Sequence, residues 1–170
     1  RAEAYHRDSL EIATQLNSRY WIALNCHNLG NIAFRRGHYA EAREYYERSL
    51  EMQQKVGNRR DMAHTYHQLG VVAHAEGDFE RARDYYQQSL EIKKELDDRA
   101  GIAATLAQLG LLAQHRGNVS RAYTLWQESL RLYEAIARRE AQLVRNWLAA
   151  LPVALAPSDR IYAAYSGSAG

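Results

Sequence analysis

Apolar residues along this chain recur at helical intervals, broken by short turns. Tyr66, Leu69, Gly70 and Ala73 fall at i, i+3, i+4 and i+7, which places them on one face of a helix. After Gly77-Asp78 a second helical set follows, with Phe79, Ala82 and Tyr86 and then Ser89-Leu90-Glu91. The same frame stands 40 residues earlier as Cys26, Leu29-Gly30 and Ala33, then Gly37-His38-Tyr39, Ala42, Tyr46 and Ser49-Leu50-Glu51. It stands 40 residues later as Leu106, Leu109-Gly110 and Ala113, then Gly117-Asn118-Val119, Ala122, Trp126 and Ser129-Leu130. Ala2, Tyr5 and Ser9-Leu10-Glu11 keep the register of a truncated leading copy. A fixed period of this length marks an all-α solenoid, whose units bury their apolar faces only by stacking on neighbours.

Turn chemistry divides the period. Gly37, Gly77 and Gly117 suit the left-handed residue that ends a helix, and Asp78 and Asn118 suit the N-cap of the next, with His38 the weaker counterpart. Asn17-Ser18, Gly57-Asn58 and Asp97-Asp98 mark the step from one unit to the next. The expected divisions are a second helix of a truncated repeat over 1–18, repeats over 19–58, 59–98 and 99–138, and a capping helix over 139–151. A tail follows over 152–170, with a short helix over 158–165 and a linker-like end. Arg138-Arg139-Glu140 forces no turn, so the helix from Ser120 either runs on or breaks briefly. Leu143, Val144, Trp147, Leu148 and Leu151 form the expected apolar stripe of the cap, which ends at Pro152. Gly30, Gly70 and Gly110 sit mid-helix, where glycine costs about 1 kcal/mol against alanine. Close helix contact offsets that cost, with Ala42, Ala82, Ala122, Ser49, Ser89 and Ser129 as the expected partners.

The Leu-Gly pair, the small residue three places on and the Ala-x3-aromatic of the second helix resemble tetratricopeptide repeats over residues 1 to about 137. The unit departs from the common one of about 34 residues by six extra residues between Ser49 and Ala63, and it lacks the usual closing proline. In length it is similar to the repeats of Leu-Gly-Asn scaffolds, kinesin light chains and the helical arms of bacterial signalling ATPases and peptide-sensing regulators. The resemblance implies a right-handed superhelix of helical hairpins that binds peptides or proteins in its concave groove, without catalysis.

If first helices line that groove, the face opposite the buried stripe is the candidate site. It comprises Leu24, His27, Asn28, Asn31, Phe34 and Arg35 in the first full copy, and His64, His67, Gln68, Val71, His74 and Ala75 in the second. In the third it comprises Ala104, Ala107, Gln108, Leu111, Gln114 and His115. Asn28, Gln68 and Gln108 recur one residue before each repeated leucine, as a ladder of amides that can donate to and accept from an extended peptide backbone. A clamp for a C-terminal carboxylate is not supported, because Arg35 is the one fixed positive charge of the set. Five of the seven histidines fall here. They read as a polar, partly solvated wall, or as a pH-dependent contact for an acidic partner. A metal site is disfavoured because the set holds no Asp, Glu or Cys to complete a coordination shell.

The remaining features narrow the reading. Twenty-two basic and 20 acidic residues leave a net charge of +2, far from the footprint of a nucleic-acid-binding domain. No apolar run approaches the roughly 18 residues that span a bilayer. A single cysteine makes no intrachain disulfide and fits a reducing, cytoplasmic setting. Cys26 stands at a packing position and its neighbour His27 points elsewhere, so the pair makes no thiol nucleophile and base. Phosphate-loop, metalloprotease and serine-hydrolase motifs are missing from the sequence. No cofactor is expected. The chain reads as a non-catalytic binding scaffold, a segment of a larger, bacterial signalling or regulatory protein. The alternatives are an array that self-associates through the apolar N-terminal edge, and a sensor arm for an attached ATPase or DNA-binding domain.

Overall fold

Left-handed residues set the architecture. The structure, a computed structural model, describes residues 1–136 and 139–151. Positive φ angles of 79°, 80° and 74° at Gly37, Gly77 and Gly117 close three helical hairpins. In each, the next residue donates its N–H back into the helix, as Asp78 does to the Ala73 carbonyl at 2.9 Å. Asn17, Gly57 and Asp97, at φ 51°, 70° and 50°, turn the chain between hairpins. Asn58, Asp78, Asp98 and Asn118 then cap the following helices, each accepting from a backbone N–H three residues on at 2.9–3.2 Å. Ser18 and His38 occupy cap positions without a side-chain capping bond.

Eight helices result among the described residues: α1 Ala2–Gln15, α2 Arg19–Arg35, α3 Tyr39–Val56, α4 Arg59–Ala75, α5 Phe79–Glu95, α6 Arg99–His115, α7 Val119–Ala135 and α8 Glu140–Ala150. Helices α2 and α3, α4 and α5, and α6 and α7 pack most heavily, and each hairpin then leans on the next through a second helix against a first. The molecule is a helical-hairpin solenoid with one leading second helix and one closing helix. Helices α7 and α8 are separate elements, and of the residues between them 137 and 138 lie outside the described set. So do Pro152, Pro157 and the expected helix over 158–165. In α8 the buried residues are Ala141 and Val144, followed by Leu151. Leu143 is exposed, contrary to the expected stripe, because it sits about 100° round the helix from Val144.

The contact that makes glycine necessary in the first helices is not the expected one. The ring of the second helix's buried aromatic lies over each glycine: Tyr46 over Gly30, Tyr86 over Gly70 and Trp126 over Gly110. The serines do something else. Ser49, Ser89 and Ser129 donate their hydroxyls to the Ala23, Ala63 and Ala103 carbonyls at 2.7–2.8 Å, tying the two helices of each hairpin. A Cβ at Gly70 would meet Tyr86 Cδ1 and Cε1 at 2.6 Å. Gly70→Ala should therefore destabilise by about 1–2 kcal/mol net, since overpacking outweighs the gain in helix propensity. Urea unfolding checks this, and a midpoint equal to or above the parent's would show that the ring swings aside at no cost.

Candidate functional site

The first-helix face has two layers. The deeper one is built by His27 and His67, which point along the seam between successive first helices. His27 Nδ1 meets Thr65 Oγ1 at 3.2 Å and His67 Nδ1 meets Thr105 Oγ1 at 3.2 Å. The rings lie 5.5 Å from Tyr46 and Tyr86, the same aromatics that cover the glycines. Burial holds His27 below the usual imidazole range and pushes His67 down to about 3, with the Lys93 ammonium adding to the effect on His67. These two histidines join repeats and are neutral near pH 7. Ala107, at the equivalent place in the third copy, is buried in the core, which corrects its placement on the groove wall.

Lys93 completes this layer. Its ammonium is almost wholly buried and donates to Thr105 Oγ1 at 2.9 Å, while that hydroxyl donates to the Gly101 carbonyl at 2.9 Å. The lysine is brought down to about 8 by burial, which Asp98 partly opposes. The sequence reading missed Lys93, Thr65 and Thr105. A signal existed in the recurrence of an uncharged polar residue at 25, 65 and 105, one turn before each repeated leucine.

Other residues of the set also do structural work. Asn31 Oδ1 accepts from the Tyr46 hydroxyl at 2.8 Å, and Phe34 packs 5.5 Å from Tyr39. Val71, Ala104 and Leu111 pack against core clusters. His74 Nε2 and His115 Nδ1 are 2.8 Å apart, a hydrogen bond that keeps at least one ring neutral, with Phe79 against both. Burial, then His115, lowers His74. Arg35 is exposed and its Nε donates to its own helix at the Asn31 carbonyl, 3.3 Å away. Gln114 is half-buried and Ala75 exposed.

What remains for a ligand is the amide ladder. Asn28, Gln68 and Gln108 are each half-buried, and their amides have no hydrogen-bond partner among the described residues. At the start of the face, Leu24, His27 and His64 line a cleft of about 170 Å³ with Tyr20, Val56 and Asp61. His64 also lines a second cleft with Lys93 and Asp98 at the next step. Polar groups beside an apolar cleft can grip a peptide backbone and one side chain. Among the described residues no group of three or more His, Cys, Asp or Glu is arranged to hold a metal ion. Cys26 is fully buried and burial pushes its thiol up to about 11, so it carries no thiolate near neutral pH. No helix among the described residues is long and apolar enough to cross a membrane.

A family model described as Tetratricopeptide repeat matches residues 1–55 and 21–95. No curated protein matches the chain. Among solved structures, BtubC (BKLC) from P. vanneervenii superposes with a TM-score of 0.71 at 22% identity, covering 99% of this chain and 74% of that one. The TPR domain of Arabidopsis FLU gives 0.66 at 16% identity, over 69% of this chain and 98% of that one. The N-terminal domain of stress-induced protein-1 (STI-1) from C. elegans gives 0.58 at 18% identity, over 75% and 98%. At these identities the likeness is one of fold.

Proposed function

Because the chain belongs to the tetratricopeptide repeat family, we propose that it is a non-catalytic scaffold that binds an extended peptide along its first-helix face, within a signalling or regulatory protein. The observation that carries the reading is the ladder of Asn28, Gln68 and Gln108, three half-buried amides without a partner among the described residues, at intervals of one repeat. These amides still reach solvent, so a peptide backbone can replace water and supply both a donor and an acceptor to each. The cleft beside Leu24 and His64 would hold an apolar side chain at one end of that peptide.

Selection of a phage-displayed peptide library on the purified chain tests this, with the triple variant Asn28→Ala, Gln68→Ala, Gln108→Ala as counter-target after its helicity is verified. Peptides enriched on the parent should lose at least about tenfold in affinity on the variant. Equal enrichment on both would remove the ladder from the binding surface.

A second reading has its own observation. Tyr5, Ile12, Leu16 and Trp21 lie 67%, 57%, 74% and 54% exposed at the N-terminal edge, a run of apolar surface that invites cover. End-to-end self-association would supply it. Sedimentation velocity across a concentration series should then show a dimer that Leu16→Glu with Trp21→Glu abolishes, and a monomer at every concentration ends that reading.

A further inference from the structure

The gap between α5 and α7 lies on the second-helix side of the solenoid and differs from its counterpart one repeat earlier. Between α3 and α5 the gap is filled by Tyr66 and Tyr85, whose rings are 6.3 Å apart. Tyr85 packs there against the cluster that contains Tyr46, Leu69 and Val72. The equivalent residues between α5 and α7 are Leu106 and Leu125. Two rings have become two aliphatic side chains, and a cavity of about 590 Å³ stands over Leu106, Leu109, Leu112 and Leu125. That volume is in the range of sites that take organic ligands or anchoring side chains. None of the first-helix face residues lines it.

Charge changes with shape. Arg83, Lys94, Arg116 and Arg121 line this gap against one carboxylate, Glu128. The equivalent positions one repeat earlier carry two cations, Arg43 and Arg81, and four carboxylates, Glu47, Glu76, Asp78 and Asp84. At the two earlier steps an ion pair closes the gap, Arg36 with Glu3 and Arg43 with Glu76, the latter at 2.7 Å. At the last step those positions are both arginine. Arg83 and Arg116 are brought together on Glu80, at 2.8 and 2.6 Å, and Arg83 also meets Asp84 at 3.0 Å. Lys94 and Arg121 make no ion pair among the described residues.

On these observations we propose that the α5–α7 gap is a second docking site, which takes an acidic amphipathic helix with leucine-type side chains on one face and carboxylates along its flanks. Arg83, Gln87, Leu90 and Lys94 on α5 stand at i, i+4, i+7 and i+11, a stripe about 16 Å long. Arg121, Leu125 and Glu128 line the gap from α7. Two such walls over a leucine floor suit a short helix laid between them, the mode in which an apolar helix face enters a groove. The partner's carboxylates meet Lys94 and Arg121, which make no ion pair among the described residues, and its apolar face takes the space that the tyrosine pair fills one repeat before.

The test is fluorescence anisotropy on the full chain with a fluorescein-labelled peptide carrying leucines at helical spacing flanked by glutamates. A lysine-flanked version and a sequence-scrambled glutamate version serve as controls. Saturable binding is expected for the acidic amphipath, with both controls at least about tenfold weaker. Lys94→Glu with Arg121→Glu should weaken it by at least about tenfold without touching an existing ion pair. Leu106→Tyr with Leu125→Tyr, which restores the pair of the preceding repeat, should block it by filling the floor. The triple amide variant of the first-helix face should bind the peptide as the parent does. Absence of saturable binding, equal binding of the controls, indifference to charge reversal, or loss in the triple amide variant would each overturn the proposal.

Discussion

Replacing Trp126 with alanine should cost about 3–5 kcal/mol, the largest loss expected from any single change in the described chain. The indole is fully buried, its Nε1 donates to the Ala107 carbonyl at 3.0 Å, and its ring lies 5.6 Å from Trp147 of α8. One side chain thus covers Gly110, satisfies a carbonyl of α6 and holds the closing helix. In a repeat array stability is summed over units and their interfaces, so the loss should concentrate at the end where α8 sits. Urea unfolding followed by circular dichroism gives the magnitude, and hydrogen exchange gives the place. Protection should fall in α7 and α8 while α2 and α3 keep theirs. A loss under about 1 kcal/mol would mean that the end of the solenoid is held by something else.

The same position shows where a repeat frame stops being informative. Tyr46, Tyr86 and Trp126 read alike in the sequence as the large aromatic of the second helix, and burial bears that out for all three. Their polar atoms differ. The Tyr46 hydroxyl finds Asn31, but the equivalent of Asn31 is Val71 and then Leu111. The Tyr86 hydroxyl is buried without a partner among the described residues, and Trp126 avoids that cost by turning its N–H to a backbone carbonyl. A one-dimensional frame aligns positions along a helix and says nothing of which neighbour's side chain has changed.

Period, hairpin turns and caps were legible because each rests on local chemistry. A left-handed turn needs Gly or an Asn-like residue, and an N-cap needs a short acceptor, so Gly77-Asp78 and Gly117-Asn118 announce themselves. The candidate site was legible only as a face. Which of its residues stay open depends on a neighbour 38 residues away, as with His27 and Thr65 or His67 and Thr105. A polar residue on the nominally solvated side of an isolated helix becomes a seam residue once the next hairpin leans on it. The α5–α7 gap was invisible for the related reason that it arises from two substitutions on different helices, Tyr66 to Leu106 and Tyr85 to Leu125 between successive repeats, each conservative alone.

Acidification should destabilise the chain between pH 6.5 and pH 5, through the seam histidines and above all His67. Its imidazole is held at about 3 in the fold by burial, Lys93 and His64, against about 6.5 in the unfolded chain. The unfolded state therefore takes up the proton first, so this contribution is complete above pH 6.5 and is lost as pH falls toward 3. By pH 5 the loss from His67 is about 1–2 kcal/mol, the lower end allowing for the part of the ring that reaches solvent. His27 and His74, also lowered, act in the same direction. Carboxylates do not share this window: Glu3 and Glu51 are lowered from 4.5 and are felt only below that. Lys93, at about 8 in the fold, acts only at higher pH. His67→Ala places there the residue that Ala107 supplies one repeat later, and it should flatten the profile of urea midpoints between pH 7 and pH 5 whatever it does to stability at pH 7. A parent profile already flat in that window, or a variant profile as steep as the parent's, would mean that His67 takes its proton within the fold, and that the histidine face is an open wall after all.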